Sequence, residues 1–395
     1  MDAFKKIVLR MLTPSNDCFS WQIDEQSAYL RSFSQPIDDI ERSFFQYRCQ
    51  GELAGLGYRI RMNIVSFFMF WVYYILIPRS KALRKEQSAK AIFYGAPVDF
   101  SNIPQSLVDS YSPIVQVDYR RKSLQSKDRK IVLDIIKRYP FSWYFSLKCL
   151  LKIALYRYQI DCFFPDIIIT TSEYSFTSSV LTMLCEKNGI KHINVMHGEK
   201  LFYIRDSFFR FHKCYVWDEH YKNLFIDLRA ESTQFVVEIP PIWKQLNSGN
   251  THNIEKTIDY TYYLQFHSER ELIKIRDVLS RLQRAGYSVA MRPHPVYSKN
   301  SDIVSIFNGI IIEDNNAINI DDSILRTSHV ISLYSTVLTQ ALANNVPVII
   351  DDVTNHQKYI QLKRLRYICM NKTHSLLSDV LLDVQGKENS RGKQY

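Results

Sequence analysis

The stretch that most constrains the fold is a short apolar unit, VISLYSTVLTQALANNVPVII, at residues 330–350. It reads as a strand, a Ser/Thr-rich turn, a helix and a second strand. Similar β-prone runs alternate with helix-length segments from residue 91 onward. Apolar strands that alternate with helices are typical of a parallel sheet whose two faces are covered. The pattern therefore predicts an α/β protein built on parallel sheets.

A polar segment at residues 242–256 separates these α/β units into two groups. It follows a Pro-Pro pair and carries Ser, Gly and Asn at its centre, a composition typical of a linker. A chain of 395 residues is also too long for one ordinary hydrophobic core. We therefore predict an N-terminal domain over residues 1–245 and a C-terminal domain over residues 256–395.

Composition narrows the class of function. The chain contains 11 glycines and neither a G-x-G-x-x-G nor a G-x-x-x-x-G-K-[ST] motif, which argues against dinucleotide enzymes and P-loop ATPases. Its seven cysteines form no C-x-x-C pair, as expected of free thiols in a reducing compartment. Lysines and arginines interrupt the N-terminal apolar residues, so no signal peptide is predicted and a cytoplasmic location is expected.

The charge balance points to an anionic partner. The formal net charge is +10, which favours nucleic acid, anionic lipid or a phosphorylated substrate. Because the basic residues are scattered and no nucleic-acid-binding motif is present, we expect no nucleic acid partner. A phosphorylated substrate and an anionic membrane surface remain.

One candidate site residue ends the strand-like run SVAMRPHP at residues 288–295. His294 lies between two prolines, so a rigid turn holds it at the edge of the predicted sheet. Arg292 lies two residues earlier, on the same side of the pleat. A protonated histidine beside a phosphate can neutralise developing charge or protonate a leaving group. We predict a nucleotide-binding role for Arg292, His294 and Pro295; a purely structural turn is the alternative.

A second candidate site lies where the helix of residues 330–350 begins. Ser335 and Thr336 fall at its N-terminus, where backbone N–H groups and the helix dipole attract phosphate. Gln340, about one turn further along, is expected to face the same pocket. Ordinary helix capping by Ser335 and Thr336 is the alternative reading. Taken with His294, these residues predict a cradle for a nucleotide phosphate.

The first domain supplies candidates for a general base. Glu173, His197 and Glu199 each follow a predicted strand, so all three are expected at the carboxyl edge of the sheet, where ligands bind. Capping of the next helix is the alternative role of Glu173. The Asp351-Asp352 pair resembles a metal-binding motif, but no partner carboxylate lies at a suitable spacing. We therefore expect neither a metal nor another cofactor.

The most apolar run is NIVSFFMFWVYYILIP at residues 63–78. It is shorter than the roughly 20 apolar residues that a membrane-spanning helix needs. Its flanks carry basic side chains, which favour anionic headgroups: Arg59, Arg61, Arg79, Lys81, Arg84 and Lys85. Three readings stay open, namely a buried core helix, an interfacial helix on the inner leaflet and a true span. We predict peripheral attachment to the inner membrane.

The layout and the short motifs resemble those of the GT-B glycosyltransferases. The Arg-Pro-His-Pro and Tyr-Ser-Thr segments, at residues 292–295 and 334–336, resemble the His-Pro and Ser/Thr motifs of bacterial CMP-sugar transferases, namely the sialyltransferases and Kdo transferases of lipopolysaccharide and capsule synthesis. The His-Gly-Glu segment at residues 197–199 resembles one found in capsule transferases and CDP-glycerol glycerophosphotransferases. The Asp/Glu-Asp/Glu-Gly segment of many sialyltransferases is absent.

The resemblance implies two Rossmann-type parallel-sheet domains facing a crevice. It implies an inverting, metal-independent glycosyltransferase that moves a sugar, sialic acid or Kdo, from a CMP donor to a bacterial surface glycan. Glu173, His197 or Glu199 would deprotonate the glycan or lipid-linked glycan acceptor. His294 would meet charge on the leaving phosphate. The alternatives are a UDP- or TDP-sugar or CDP-glycerol donor, and a non-catalytic membrane-surface scaffold.

Overall fold

The structure, a computed structural model, describes residues 22–80, 89–118, 121–244, 255–296, 298 and 300–391. The chain separates into two compact units. Unit 1 comprises Met1–His197 and Phe202–Pro241, and unit 2 comprises Gly198–Leu201 and Ile242–Tyr395. Most of the predicted linker, residues 245–254, lies outside the described part of the chain.

Unit 1 contains a six-stranded parallel sheet with the order β2-β1-β3-β4-β5-β6. Its strands are β1 (Ala91–Tyr94), β2 (Ile114–Gln116), β3 (Ile167–Thr170), β4 (Lys191–Val195), β5 (Lys213–Val216) and β6 (Phe235–Val237). Its helices are α1 (Ile23–Arg31), α2 (Asp39–Ala54), α3 (Leu56–Leu76), α4 (Gln105–Tyr111), α5 (Ser126–Arg138), α6 (Trp143–Phe163), α7 (Ser178–Glu186) and α8 (Glu219–Asp227). A short helix, α9 (Pro241–Lys244), follows β6.

Unit 2 contains a second six-stranded parallel sheet, with the order β12-β11-β10-β7-β8-β9. Its strands are β7 (Ile258–Tyr263), β8 (Val289–Arg292), β9 (Ile311–Ile312), β10 (Thr327–Ser332), β11 (Val348–Ile350) and β12 (Ser375–Leu376). Its helices are α10 (Glu269–Arg284), α11 (Asn300–Ile306), α12 (Ile320–Leu325), α13 (Thr336–Ala343), α14 (His356–Arg364) and α15 (Leu377–Arg391). The strand order is that of a dinucleotide-binding Rossmann sheet.

The burial of the strands shows that the sheets are covered on both faces. Strand β3 reads Ile-Ile-Ile-Thr and is buried along its whole length, because helices pack on both faces of a parallel sheet. Ile168 belongs to the apolar core on one face, and Ile167 and Ile169 belong to the core on the other. The structure thus confirms the predicted α/β class with two Rossmann-type parallel sheets.

Two local predictions are wrong and a third is confirmed. The β-prone pattern of residues 366–370 predicts a last strand, but the segment contains a 3-10 turn at Ile368–Asn371. The pattern of residues 375–384 predicts a helix throughout, but its first two residues form the last strand, β12. The helical pattern between residues 127 and 159 predicts one break at Pro140, and the structure has two helices, α5 and α6, separated by a segment that includes this proline, whose ring prevents helix continuation.

Helix α3 contains most of the apolar run and has two different faces. Phe70 is fully buried in the core of unit 1, and Tyr73 and Tyr74 pack against that core. Eleven of the 24 large apolar side chains that the described residues expose lie in this one helix. No helix in the described ranges is both long and apolar enough to cross a membrane. The buried-helix reading therefore accounts for only one face of α3.

Candidate functional site

Polar side chains meet at the carboxyl edge of the sheet in unit 1. The strand order of this sheet reverses between β1 and β3, and ligands of open parallel sheets bind beside such a reversal. Thr171, directly after β3, donates its Oγ1 hydrogen to Oδ2 of Asp99 at 3.3 Å. Glu173 follows two residues later, and His197 follows the neighbouring strand β4. Adjacent parallel strands thus bring two of the predicted base candidates to one edge.

Glu173 and His197 form a pair. Oε1 of Glu173 lies 3.1 Å from Nδ1 of His197. The Glu173 side chain is fully buried, whereas that of His197 is 28% exposed. A Gly198 φ of 62° lets the chain turn directly after the histidine. The pair thus combines a carboxylate that solvent does not reach with an imidazole that a substrate can reach.

Asn194 fixes the other side of the Glu173 carboxylate. Its Nδ2 donates to Oε2 of Glu173 at 3.0 Å, and its Oδ1 accepts from the Ser172 backbone N–H at 2.7 Å. Because a backbone N–H can only donate, the orientation of the Asn194 amide is determined. Gln46 on α2 also holds this turn, by donating to the Glu173 carbonyl oxygen at 2.9 Å.

This geometry can prepare a general base. Oε1 of Glu173 and Nδ1 of His197 lie within ion-pair distance but are not aligned as a hydrogen bond in this structure. Once Nδ1 donates to this carboxylate, the imidazole proton is held on that nitrogen, and Nε2 has a lone pair to accept a proton. Since Glu173 is buried, its position favours orienting the ring over direct contact with an acceptor. The predicted strand ends locate both residues at the sheet edge but do not indicate that the two side chains pair.

The third base candidate, Glu199, groups with unit 2. Its Oε1 accepts a hydrogen bond from Oγ1 of Thr339 on α13 at 2.6 Å. The Glu199 carbonyl oxygen also accepts from the Tyr334 hydroxyl at 3.5 Å. Burial and the nearby Glu199 carboxylate together raise the pKa of Cys369 to about 12, so that thiol stays protonated. The first-domain position expected for Glu199 therefore needs correction, because its side chain contacts α13.

In unit 2, His294 lies two residues after β8, as predicted. The Nδ1 atom of its ring accepts a hydrogen bond from the Val296 backbone N–H at 3.1 Å. The backbone N–H of His294 donates to Oγ of Ser298 at 2.9 Å. Burial lowers the pKa of His294, which favours the neutral ring at neutral pH. In that ring the proton lies on Nε2, because Nδ1 acts as an acceptor. His294 can therefore donate a hydrogen bond without being charged.

A cavity of about 460 Å³ opens beside His294. This volume lies within the range of roughly 300–1,000 Å³ that is usual for ligand pockets. The cavity is lined by Pro293, His294, Pro295, Ser298, Ile303, Val304, Ile312, Glu313, Asp314, Asn315 and Asn316. Nδ2 of Asn315 donates to the Pro293 carbonyl oxygen at 2.9 Å, which ties the His294 turn to the segment after β9. Both histidine-flanking prolines thus line a cavity of suitable size for a ligand.

Arg292 makes interactions that the sequence did not predict. Its Nη1 lies 3.0 Å from Oε2 of buried Glu313, and its Nη2 donates to the Ile318 carbonyl oxygen at 2.8 Å. Glu313 also pairs with Arg326, at 2.6 Å between Oε1 and Nη2. The buried cluster therefore holds two guanidinium groups around one carboxylate. Arg292 acts in this structure as an anchor of the strand that carries His294.

Ser335 caps helix α13, which is the role predicted as the alternative to phosphate binding. Its Oγ accepts from the Val337 backbone N–H at 3.2 Å and from Nε2 of Gln265 at 2.9 Å. Gln265 follows β7, and Ser335 follows β10, at the point where the order of this sheet reverses. The Tyr367 hydroxyl holds the same turn by donating to the Ser335 carbonyl oxygen at 3.0 Å. The helix start therefore lies at the edge where a Rossmann sheet binds its ligand.

Of the two remaining residues predicted to bind the nucleotide, only one has a side chain that a ligand could contact. Thr336 is the first residue of α13 and is partly exposed. Gln340 is buried, and its Nε2 donates to Oδ1 of Asp321. The structure thus brings Ser335 and Thr336 together and directs Gln340 toward α12. Gln265 and Tyr367, which hydrogen-bond to Ser335, were not predicted at this edge. Only the position of Gln265 directly after a strand could have indicated it.

The carboxylates of Asp351 and Asp352 accept hydrogen bonds from donors within the protein. Asp351 accepts from the Tyr262 hydroxyl at 2.5 Å and from the backbone N–H groups of Val353 and Thr354 at 2.9 Å. Asp352 accepts from the backbone N–H and the hydroxyl of Ser378. The described residues contain no cluster of metal-ligating side chains. These carboxylates stabilise the ends of β11 and α15.

Comparisons with known proteins identify no family. No protein-family model matches the chain, and no curated protein matches it. Among solved structures, the wall teichoic acid polymerase TagF is 10% identical, with 84% of this chain and 91% of that chain covered and a TM-score of 0.43. A glycosyltransferase from Rickettsia africae is 12% identical; the alignment covers 67% of this chain and 80% of that chain, with a TM-score of 0.38. The lipopolysaccharide outer core galactosyltransferase WaaB is 11% identical; the alignment covers 74% of this chain and 94% of that chain, with a TM-score of 0.36.

Proposed function

We propose that this chain is an inverting glycosyltransferase that uses a nucleotide-activated donor. The observation that carries the proposal is the Glu173–His197 pair, at the carboxyl ends of neighbouring strands. A buried carboxylate that orients a partly exposed histidine is an arrangement suited to deprotonating a hydroxyl group. Unit 2 supplies a separate Rossmann-order sheet for the nucleotide.

The reaction is a single displacement. Nε2 of His197 accepts the proton of the acceptor hydroxyl, and that oxygen forms a bond to the anomeric carbon of the donor sugar. The bond between the anomeric carbon and the phosphate oxygen breaks, and the nucleotide leaves with the electron pair. Because the acceptor enters opposite the leaving group, the configuration inverts. The imidazolium formed on His197 is stabilised by the Glu173 carboxylate.

Unit 2 is proposed to bind the nucleotide phosphate. Nε2 of His294 is placed to donate to a phosphate oxygen, and the N-terminus of α13 adds backbone N–H groups and a favourable dipole. The Arg292–Glu313–Arg326 cluster stabilises the strand end that carries His294. Charge on the leaving phosphate is met by these groups without a metal ion. We therefore expect transfer to continue in excess EDTA.

CMP-sialic acid or CMP-Kdo is the proposed donor, on the resemblance of the His-Pro and Ser/Thr segments to those of CMP-sugar transferases. CDP-glycerol is the second candidate, on the resemblance of residues 197–199. Nucleotide release should be measured with each donor, with and without glycan acceptors. Release from one of these donors that the Glu173→Gln variant lacks supports the proposal. A chain that turns over no nucleotide-activated donor is instead a non-catalytic scaffold.

We also propose that the chain acts at an anionic membrane surface. Helix α3 exposes eleven large apolar side chains, and only its other face is buried in protein, so the exposed face needs another apolar phase. Residues 56–76 include Arg59 and Arg61 but no acidic residue. Each such cation is worth about 1 kcal/mol near an anionic surface. Arg79 is exposed after the helix, whereas Lys81, Arg84 and Lys85 lie outside the described residues.

The membrane proposal has a matched test. Phe68 on α3 is 65% exposed, and Phe266 of unit 2 is 74% exposed. The Phe68→Asp variant should fold normally and lose flotation with phosphatidylglycerol vesicles, because burying one phenylalanine contributes about 1.5–3 kcal/mol. The Phe266→Asp variant should float like the wild type. Equal flotation of all three proteins, or none by the wild type, contradicts peripheral binding through α3.

A further inference from the structure

A second cavity lies within unit 1, whereas the cavity beside His294 belongs to unit 2. The volume of this second cavity is about 220 Å³. The lining residues that bear on its chemistry are Tyr47, Gln50, Tyr58, Arg59, Tyr144 and Arg205. Helices α2 and α3 provide most of the wall, and the 3-10 turn at Ile204–Asp206 provides one side. No residue of this cavity has a role in the proposed nucleotide site.

The size of the cavity limits its occupant. Pockets for whole small-molecule ligands usually measure roughly 300–1,000 Å³. At about 220 Å³, this cavity suits a single small group, such as one phosphate or the first sugar of a glycan, and not a nucleotide sugar. Burial raises the pKa of Tyr47 and of Tyr144, so both hydroxyls remain neutral. The wall therefore offers aromatic faces and neutral hydroxyl groups.

Two guanidinium groups supply positive charge at this cavity. Arg205 is held by Asp206, at 2.8 Å between Nε and Oδ1, and that carboxylate raises the pKa of Arg205, which keeps it charged. The Arg205 side chain is nevertheless exposed. Arg59 has a weaker partner, since its Nη1 lies 3.5 Å from Oε2 of Glu52. Guanidinium groups are preferred ligands of phosphate oxygens.

Ring contacts connect this cavity to the proposed base. The guanidinium carbon of Arg205 lies 5.7 Å from the centre of the Tyr174 ring, and the Tyr174 ring centre lies 5.5 Å from that of His197. Nε2 of Gln50 donates to the carbonyl oxygens of both Tyr174 and Arg205, at 2.6 and 3.1 Å. A continuous series of contacts therefore links the cavity wall to the proposed base.

The same helix forms the cavity wall and the exposed apolar surface. Tyr58, Arg59 and Met62 of α3 line the cavity. The exposed residues Val65, Met69 and Val72 follow Met62 at spacings of three and four residues, so they lie on the same face of α3, and this exposed series continues to Leu76. A lipid chain that lies along this face would reach the cavity, which is one aromatic ring away from His197. Membrane surface, cationic cavity and base thus follow one another along unit 1.

We infer that this cavity binds the phosphate-bearing head group of a lipid-linked acceptor. The lipid chain lies along the exposed face of α3, and the phosphate is bound by Arg59 and Arg205. Tyrosine rings contact the group attached to that phosphate. The inference rests on the proposed function, because it assigns the acceptor side of the same reaction. It adds the chemical class of the acceptor and the residues that recognise it.

The inference is tested with vesicles and without a donor. Two vesicle preparations of equal surface charge are compared, one containing undecaprenyl phosphate and the other only additional phosphatidylglycerol. The wild type should bind the first preparation about tenfold more tightly, because one charge-assisted contact is worth about that factor. Arg59→Gln and Arg205→Gln should each remove most of this preference. Binding to phosphatidylglycerol vesicles should be retained in Arg205→Gln and should weaken in Arg59→Gln only as much as it does in a variant that lacks another α3 cation. Thermal unfolding of each variant verifies that it folds.

Arg61→Gln is the matched control, because Arg61 lies on α3, is exposed and does not line the cavity. It should weaken binding to both preparations equally and keep the preference. Absence of any preference in the wild type overturns the inference, as does a preference that survives in both Arg59→Gln and Arg205→Gln. Because no donor is present, these results are independent of the transfer assay. A chain with the preference but no transfer activity would refute the proposed function alone.

Discussion

The two sheets carry polar residues at equivalent edges, but the two edges are built differently. In unit 1, Glu173 and His197 contact each other, and Asn194 fixes the carboxylate. In unit 2, Arg292 pairs with Glu313, and Gln340 pairs with Asp321. The unit 1 edge is therefore one coupled pair, whereas the unit 2 edge is a set of separately anchored groups. Removing one member should be more damaging in unit 1.

The largest effect is expected from His197→Ala. Loss of the general base should lower the transfer rate by about 10³-fold, within the range of general-base contributions. Nucleotide affinity should stay unchanged, because the proposed nucleotide site belongs to unit 2 and His197 belongs to unit 1. The rate is measured by nucleotide release at saturating donor. Near-normal transfer by this variant would mean that the acceptor is deprotonated elsewhere.

Glu173→Gln tests whether the pair works through the tautomer of His197. Because Nδ2 of Asn194 must donate, the amide that replaces the carboxylate should turn its oxygen toward Asn194 and its NH₂ group toward His197. That arrangement places the imidazole proton on Nε2, the wrong nitrogen for a base, and should lower the rate by about 10²–10³-fold. Glu173→Asp should restore part of the activity. A thermal midpoint near that of wild type shows that the loss is chemical.

A smaller effect is expected from His294→Ala, because the N-terminus of α13 is also proposed to bind the phosphate. The loss of transition-state stabilisation should be roughly 2–4 kcal/mol, as for one oxyanion donor. Burial lowers the pKa of His294 in the unliganded protein, and a bound phosphate favours its protonated form. Nucleotide affinity should therefore rise as the pH falls from neutral toward the His294 pKa. The His294→Ala variant should lose the part of this pH dependence that exceeds the titration of the nucleotide itself.

Ser335→Ala should have the smallest effect. The serine caps α13, so its loss should lower the free energy of unfolding by about 1 kcal/mol, as measured by urea titration. The backbone N–H groups of the helix start remain, and nucleotide affinity should fall only a few-fold. The Ser332→Ala variant is a control, because that hydroxyl donates to the Tyr263 carbonyl oxygen inside the sheet. A total loss of nucleotide binding in Ser335→Ala would show that the hydroxyl itself binds the phosphate.

The contrast between the two edges also shows what the sequence can predict. Apolar periodicity located every strand except β12, and strand ends located Glu173, His197 and His294. The Glu173–His197 pairing followed only once β3 and β4 were known to be neighbours. The partner of Arg292 was not predictable, because Glu313 follows a two-residue strand whose pairing the pattern leaves open. Which face of α3 is exposed could likewise not be predicted, since apolarity alone does not show which face of a helix packs against the protein.

The most direct test of the division of roles is calorimetric titration of CMP, with UDP for comparison, into the wild type, His197→Ala and His294→Ala. The account predicts that CMP binds the wild type and His197→Ala equally and binds His294→Ala at least tenfold more weakly. Equal affinity in all three proteins, or equal loss in both variants, would contradict the assignment of base and nucleotide site to different units. Binding of UDP in preference to CMP would retain the division and change the donor.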